Sequence, residues 1–173
     1  MAYTEYIQRE AEKLIKRHNT RNPFQVAKER GVDVIYRNDF AKLKGMYAIV
    51  KNCRFIFINA NLPEQKRIIV CGHELGHDVF HREQAKIMAF QEFLLYDMSL
   101  RTEYEANIFA AHYLLDGRDI YELAKDGYDT YQIAMELGTD VNLLLMKMDL
   151  MKRQEGYDFN IMYQPRGDFL KND

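Results

Sequence analysis

His73, Glu74 and His77 stand in the spacing H-E-x-x-H, and that spacing is suited to holding a metal ion and activating water. Residues four apart on a helix lie one above the other, so the two imidazoles point the same way and can close on one cation. Glu74 follows the first histidine directly, where a carboxylate can take a proton from the attacking water as general base. The stretch before it, residues 64–72, turns from polar to almost continuously apolar. The histidines therefore begin where the helix becomes buried, whereas an exposed helix would keep alternating with charge. Buried imidazoles need partners, and a metal ion is one.

A catalytic zinc usually takes three protein ligands and leaves one position for water. One helix face offers two well-placed donors, so the third must come from another segment. His81 lies about 12 Å along the helix axis from His73 and cannot share a metal with it. Residues 101–115 read as a second buried helix, with Glu103, Asn107, Ala110, Ala111 and Leu114 on one stripe. The alanines allow close approach to the first helix. Glu103 is then the expected third ligand, and Asn107, one turn later, can hold a histidine ring in place. Glu105 points roughly 200° away from Glu103 around the axis and reads as a solvated helix charge. His112, the other rival ligand, reads as a partly buried, hydrogen-bonded imidazole. Cys71 reads as a small buried hydrophobe rather than a competing thiol. The donor for a tetrahedral oxyanion is left open between His112 and twelve tyrosines.

The runs HELGHDVFH and EYEANIFAAHYLL resemble the ImmA/IrrE family of metallopeptidases, gluzincin-like proteins of bacteria, phages and mobile elements. That family pairs a HELGH helix with a later E-x-x-A-N-x-F-A helix, and the order of flanking elements also fits. The resemblance implies Zn2+ as cofactor, His73, His77 and Glu103 as its ligands, and Glu74 as catalytic base. It further implies a protein substrate, a phage- or element-encoded DNA-binding repressor whose cleavage releases silenced genes. Two other classes stay open. One is a non-catalytic antirepressor with a structural metal, and the other is a DNA-binding regulator acting through its C-terminal helices.

Elements on either side must position these residues. Residues 4–17 form a predicted amphipathic helix with Ile7, Ala11, Leu14 and Ile15 inward. Asn22-Pro23 starts a second helix and Gly31 stops it. Residues 32–36 read as a short strand, and 45–51 and 54–59 as strands joined at Asn52-Cys53. Asn61-Leu62-Pro63 opens the metal helix. In many zinc peptidases an edge strand beside the metal holds an extended peptide; residues 47–51 and 54–58 both remain candidates. The apolar segment 87–96 either packs as core or lines a cleft.

Beyond Leu115 the pattern changes. Residues 119–125 read as a short helix closed near Gly127, and 130–146 as helix, tight turn, helix, similar to a helix-turn-helix. Its second helix begins Asp140-Val141-Asn142-Leu143, and its cations, Lys147, Lys152 and Arg153, come late with Asp149 among them. That is a poor footprint for a DNA reader, so direct nucleic-acid binding is not expected. A strand is predicted over 159–163, followed by a polar tail.

The expected fold class is α+β: a mostly helical, zinc-peptidase-like domain with a small sheet before the H-E-x-x-H helix and a helix-turn-helix-like element after it. The expected division is 1–117 for the peptidase-like domain and 118–173 for a helical appendage packed on it as one unit. The 173 residues, 47% hydrophobic and 29% charged with net charge −2, are ordinary for a globular protein and give no electrostatic reason to expect nucleic acid or membrane. The first residues lack a basic stretch followed by an apolar core, and Cys53 and Cys71 show no C-x-x-C spacing. A cytoplasmic protein without a leader is expected.

Overall fold

Ile7, Ala11 and Leu14 recur at helical spacing along α1 (Ala2–His18) and are all buried. The computed structural model describes residues 2–87, 90–92 and 100–159, and its architecture is α+β. Asn22 caps α2 (Pro23–Glu29), accepting the amides of Phe24 and Gln25, with proline at the first helical position as that cap favours. Three strands follow: β1 (Val32–Arg37), β2 (Gly45–Val50) and β3 (Cys53–Asn59). The β2–β3 hairpin turns at Lys51-Asn52, one residue earlier than expected. Both residues take positive φ, 50° and 64°, as tight two-residue hairpins require, and the register Val50↔Cys53 closes the ladder around them.

A short strand, β4 (Phe90–Glu92), completes a four-stranded sheet in the order β1-β3-β2-β4. The β1–β3 pair is parallel and the other two are antiparallel. Neither candidate substrate strand is a simple sheet edge. β3 lies between β1 and β2, and the outer side of β2 is taken up at Gly45–Tyr47 by β4. Within the apolar segment 87–96, Ile87 is exposed, while 88–89 and 93–96 lie outside the described residues. So do residues 160–163 of the strand expected near the C-terminus.

Two long helices carry the H-E-x-x-H and E-x-x-A-N runs: α3 (Glu64–Phe80) and α5 (Arg101–Leu114), with the single turn α4 (Arg82–Ala85) after the first. α3 is buried continuously from Ile69 to Asp78, because the sheet covers one side and α5 another. α5 packs against α3, α1 and α8 at once. Its residues Glu103 and 105–113 are accordingly all buried, and it has almost no solvent face.

The C-terminal helices are α6 (Gly117–Lys125), α7 (Thr130–Glu136) and α8 (Val141–Glu155). Asp129 and Gln132 form a capping box on α7. Gly138 makes the turn into α8 at φ +58°, a conformation glycine adopts without strain. One hydrophobic cluster runs from Ile7 through Ile56, Leu75 and Phe109 to Leu144 and Met151. Among the described residues no helix is long and apolar enough to cross a membrane.

Lys147, read from the sequence as one of the cations of α8, is only 5% exposed. Its ammonium lies 3.0 Å from Nδ1 of His112, so it donates into a neutral ring. Burial and the adjacent Lys147 charge push the His112 imidazole down to about 3. The unfolded chain takes up a proton there near pH 6.5, the folded chain only near 3. Between those values the unfolded state binds more protons, so stability falls as pH falls. Lowering the pH from 7 to 5 is expected to cost about 2 kcal/mol through this ring. In His112→Gln, which keeps an acceptor for Lys147, denaturant melts at the two pH values should show that much less acid sensitivity.

Candidate metal centre

His73 and His77 leave the same face of α3 and meet Glu103 from the start of α5. One donor atom from each lies within 4.8 Å of the others. The two Nε2 atoms are 3.1 Å apart, and the Glu103 carboxylate approaches them at 3.1 and 3.5 Å. Atoms bound tetrahedrally to one cation at roughly 2.0–2.1 Å would stand about 3.3–3.4 Å apart, so the spacing fits.

The opposite ring atoms set the tautomers. Nδ1 of His73 lies 2.9 Å from Oδ1 of Asn107, an acceptor, so that nitrogen carries the proton and the Nε2 lone pair turns toward Glu103. Burial pushes the His77 imidazole down to about 4, against the partial opposition of Glu103. Burial alone would raise the Glu103 carboxyl, but the close approach of the His73 and His77 rings holds it well below the usual carboxylate range. Two imidazole nitrogens and one carboxylate thus converge on one point, an arrangement suited to holding a cation.

Close packing makes this convergence possible. A Cβ on Gly76 would come within 3.1 Å of the Ala106 Cα and of the Phe109 ring, so the helix backbones nearly touch beside His77. Ala106 provides the closest small-residue contact there, in addition to the alanines expected on the stripe. Glu74, fully buried, faces β2: a Cβ on Gly45 would fall 2.7 Å from its Oε1 and 2.4 Å from Val70. Glycine at 45 thus clears the space in which Glu74 sits. Cys71 is buried, and burial followed by the nearby Glu74 pushes its thiol up, so it stays a neutral small hydrophobe. His112 stands nine residues beyond Glu103, about 13 Å along the helix, and faces Lys147 rather than the donor cluster.

Two arrangements were not foreseen. Asp78, directly after His77, is fully buried. Its Oδ1 accepts from the Tyr47 hydroxyl at 2.9 Å and from Arg54 at 2.8 Å. Its Oδ2 accepts from Arg30 at 3.0 and 2.8 Å and from Arg82 at 3.0 Å. Burial would raise this carboxyl, yet the guanidiniums of Arg30 and Arg82 hold it below the usual range. Glu105, expected to be solvated, is only 5% exposed, because α1 covers the side of α5 that a two-helix picture leaves open. It bonds His81, Arg101 and Tyr3. The available signals were an aspartate directly after the second histidine of the motif and a histidine eight residues after His73.

A family model, the IrrE N-terminal-like domain (Peptidase_M78), matches residues 27–149. Over 136 residues the chain is 32% identical to immunity region protein 2 of Bacillus phage phi105, spanning 79% of this chain and 85% of that one. The fold is also that of a solved Mycobacterium tuberculosis transcriptional regulator, with a TM-score of 0.59 at 14% identity. That alignment covers 94% of this chain and 48% of the regulator, so the chain spans about half the regulator's length. The family match begins within α2, ends within α8 and contains both helices that supply the donors; the chain belongs to the metallopeptidase-like family of IrrE N-terminal-like domains.

Proposed function

We propose that this chain is a zinc-dependent endopeptidase that cleaves a phage or mobile-element repressor and so releases the genes it silences. The observation that carries the reading is the convergence of His73, His77 and Glu103 with a buried carboxylate, Glu74, on the same helix. When bound there, Zn2+ would polarise the scissile carbonyl and bring a water's pKa toward neutrality. Glu74 takes the proton of the attacking water and delivers it to the departing amine. Asn107 holds the His73 ring in its ligand tautomer. The likeness to a phage immunity region protein favours a repressor as the substrate.

In this reading residues 1–117 are the catalytic unit and 118–173 an appendage, whose described part, 118–159, packs on it through the contact of α8 with α5. The DNA-binding alternative draws little support from α8, since Lys147 is buried and unavailable to a phosphate. The test is to mix the purified, zinc-loaded chain with the repressor encoded beside its gene. Two repressor fragments are expected, and a chelator should prevent their appearance. An intact repressor that nonetheless loses its operator would establish the non-catalytic antirepressor instead.

A further inference from the structure

His81 leaves α3 at its C-terminal cap, yet its ring turns back onto the metal side of the helix. Its Nδ1 lies 3.0 Å from Nδ1 of His77, and its Nε2 lies 3.0 Å from Oε2 of Glu105. Glu105 also accepts from Nε of Arg101 at 2.6 Å and from the Tyr3 hydroxyl at 3.1 Å. All three acidic and imidazole groups are buried. The direction of the chain follows from its outer end. A carboxylate only accepts, so His81 donates from Nε2, and in the single-N–H tautomer that this selects its Nδ1 accepts. His77 must then donate from Nδ1, which turns its Nε2 lone pair toward Glu103 and His73.

We propose that His81 and Glu105 are positioning residues that fix the tautomer and orientation of His77 as a metal ligand, with Arg101 and Tyr3 anchoring the outer end. The proposal rests on the metal-site reading above. It gives each ligand histidine its own acceptor: Asn107 for His73, and the His81–Glu105 pair for His77. Acceptors of this kind typically change metal affinity by about 10–100-fold when removed. In Glu105→Gln the amide can present an N–H to His81. That permits the chain to run in reverse and turns a proton, rather than a lone pair, toward the metal.

The experiment is competition of the full-length chain against a chromogenic chelator for Zn2+, together with the visible spectrum of the Co2+ form. His81→Leu and Glu105→Gln are each expected to weaken Zn2+ by about 10–100-fold and to alter the Co2+ bands, with the metal-free circular dichroism unchanged. The double variant should bind no more weakly than His81→Leu, because one relay is broken once. His81→Gln, whose amide can accept from His77 and donate to Glu105, should recover most of the affinity. If His81→Leu does not fold, Glu105→Gln, nearly equal in shape to the wild type, carries the test. Wild-type affinity and spectrum in the folded variants would overturn this proposal while leaving the metal site intact. A wild-type chain that binds no Zn2+, or binds it equally well after His73→Ala, would overturn the metal-site reading and this proposal together.

Discussion

On the proposed zinc-peptidase reading, Glu74→Gln is expected to lower the rate of repressor cleavage by about 10²–10⁴-fold, the usual contribution of a positioned general base, while zinc content stays at the wild-type level. The amide has nearly the carboxylate's shape and so fits the space that Gly45 leaves open, but it cannot accept the water's proton. The three donor residues are untouched. Because the proton moves only in the transition state, the loss should fall on kcat and leave KM close to its original value. Elemental analysis and steady-state kinetics on one preparation check both halves. Undiminished turnover would remove Glu74 from the chemistry, and loss of zinc would place it among the ligands.

Asp78→Ala should produce a large loss of stability. The side chain is completely buried and receives hydrogen bonds from Arg30, Tyr47, Arg54 and Arg82. These come from the C-terminal cap of α2, from β2, from β3 and from α4. Removing it leaves guanidiniums facing one another across a partly buried site without their counter-ion. Losing one partner of such a buried pair costs about 3–5 kcal/mol. For a chain of this size that lowers the melting midpoint by roughly 6–20 °C. The measurement belongs on metal-free protein, so that zinc binding to the native state does not mask the change. An unchanged midpoint would mean that the arginines find solvent equally well and that Asp78 does not pin α3 to the sheet.

Legibility followed locality. Asn22-Pro23 and the H-E-x-x-H helix are each encoded within a few residues, and both stand where their local signals put them. The meeting of Glu103 with His73 and His77 was accessible because periodicity placed it on the small-residue stripe of α5. Other features depend on chain segments far apart. Nothing near Asp78 announces that Arg30, Tyr47 and Arg54 will reach it. Glu105 looked solvated because the packing of α1 against α5 cannot be read from either helix alone. The hairpin shifted by one residue because Lys51 and Asn52 both accept positive φ, which composition only weakly signals. β4 is three residues long and carries no alternation to detect.

The near-contact of Gly76 with Ala106 has a kinetic consequence. Where two helices approach main chain to main chain, neither can slide or roll without collision, so the gap between donors is set by rigid backbone rather than by adaptable side chains. On the proposed metal reading, the donor cluster is then preformed before a cation arrives. Capture needs little rearrangement, and amide exchange along α3 and α5 should hardly differ between empty and loaded protein. A bulky residue at either position would pry the helices apart and convert a rigid socket into one that each ion must first assemble.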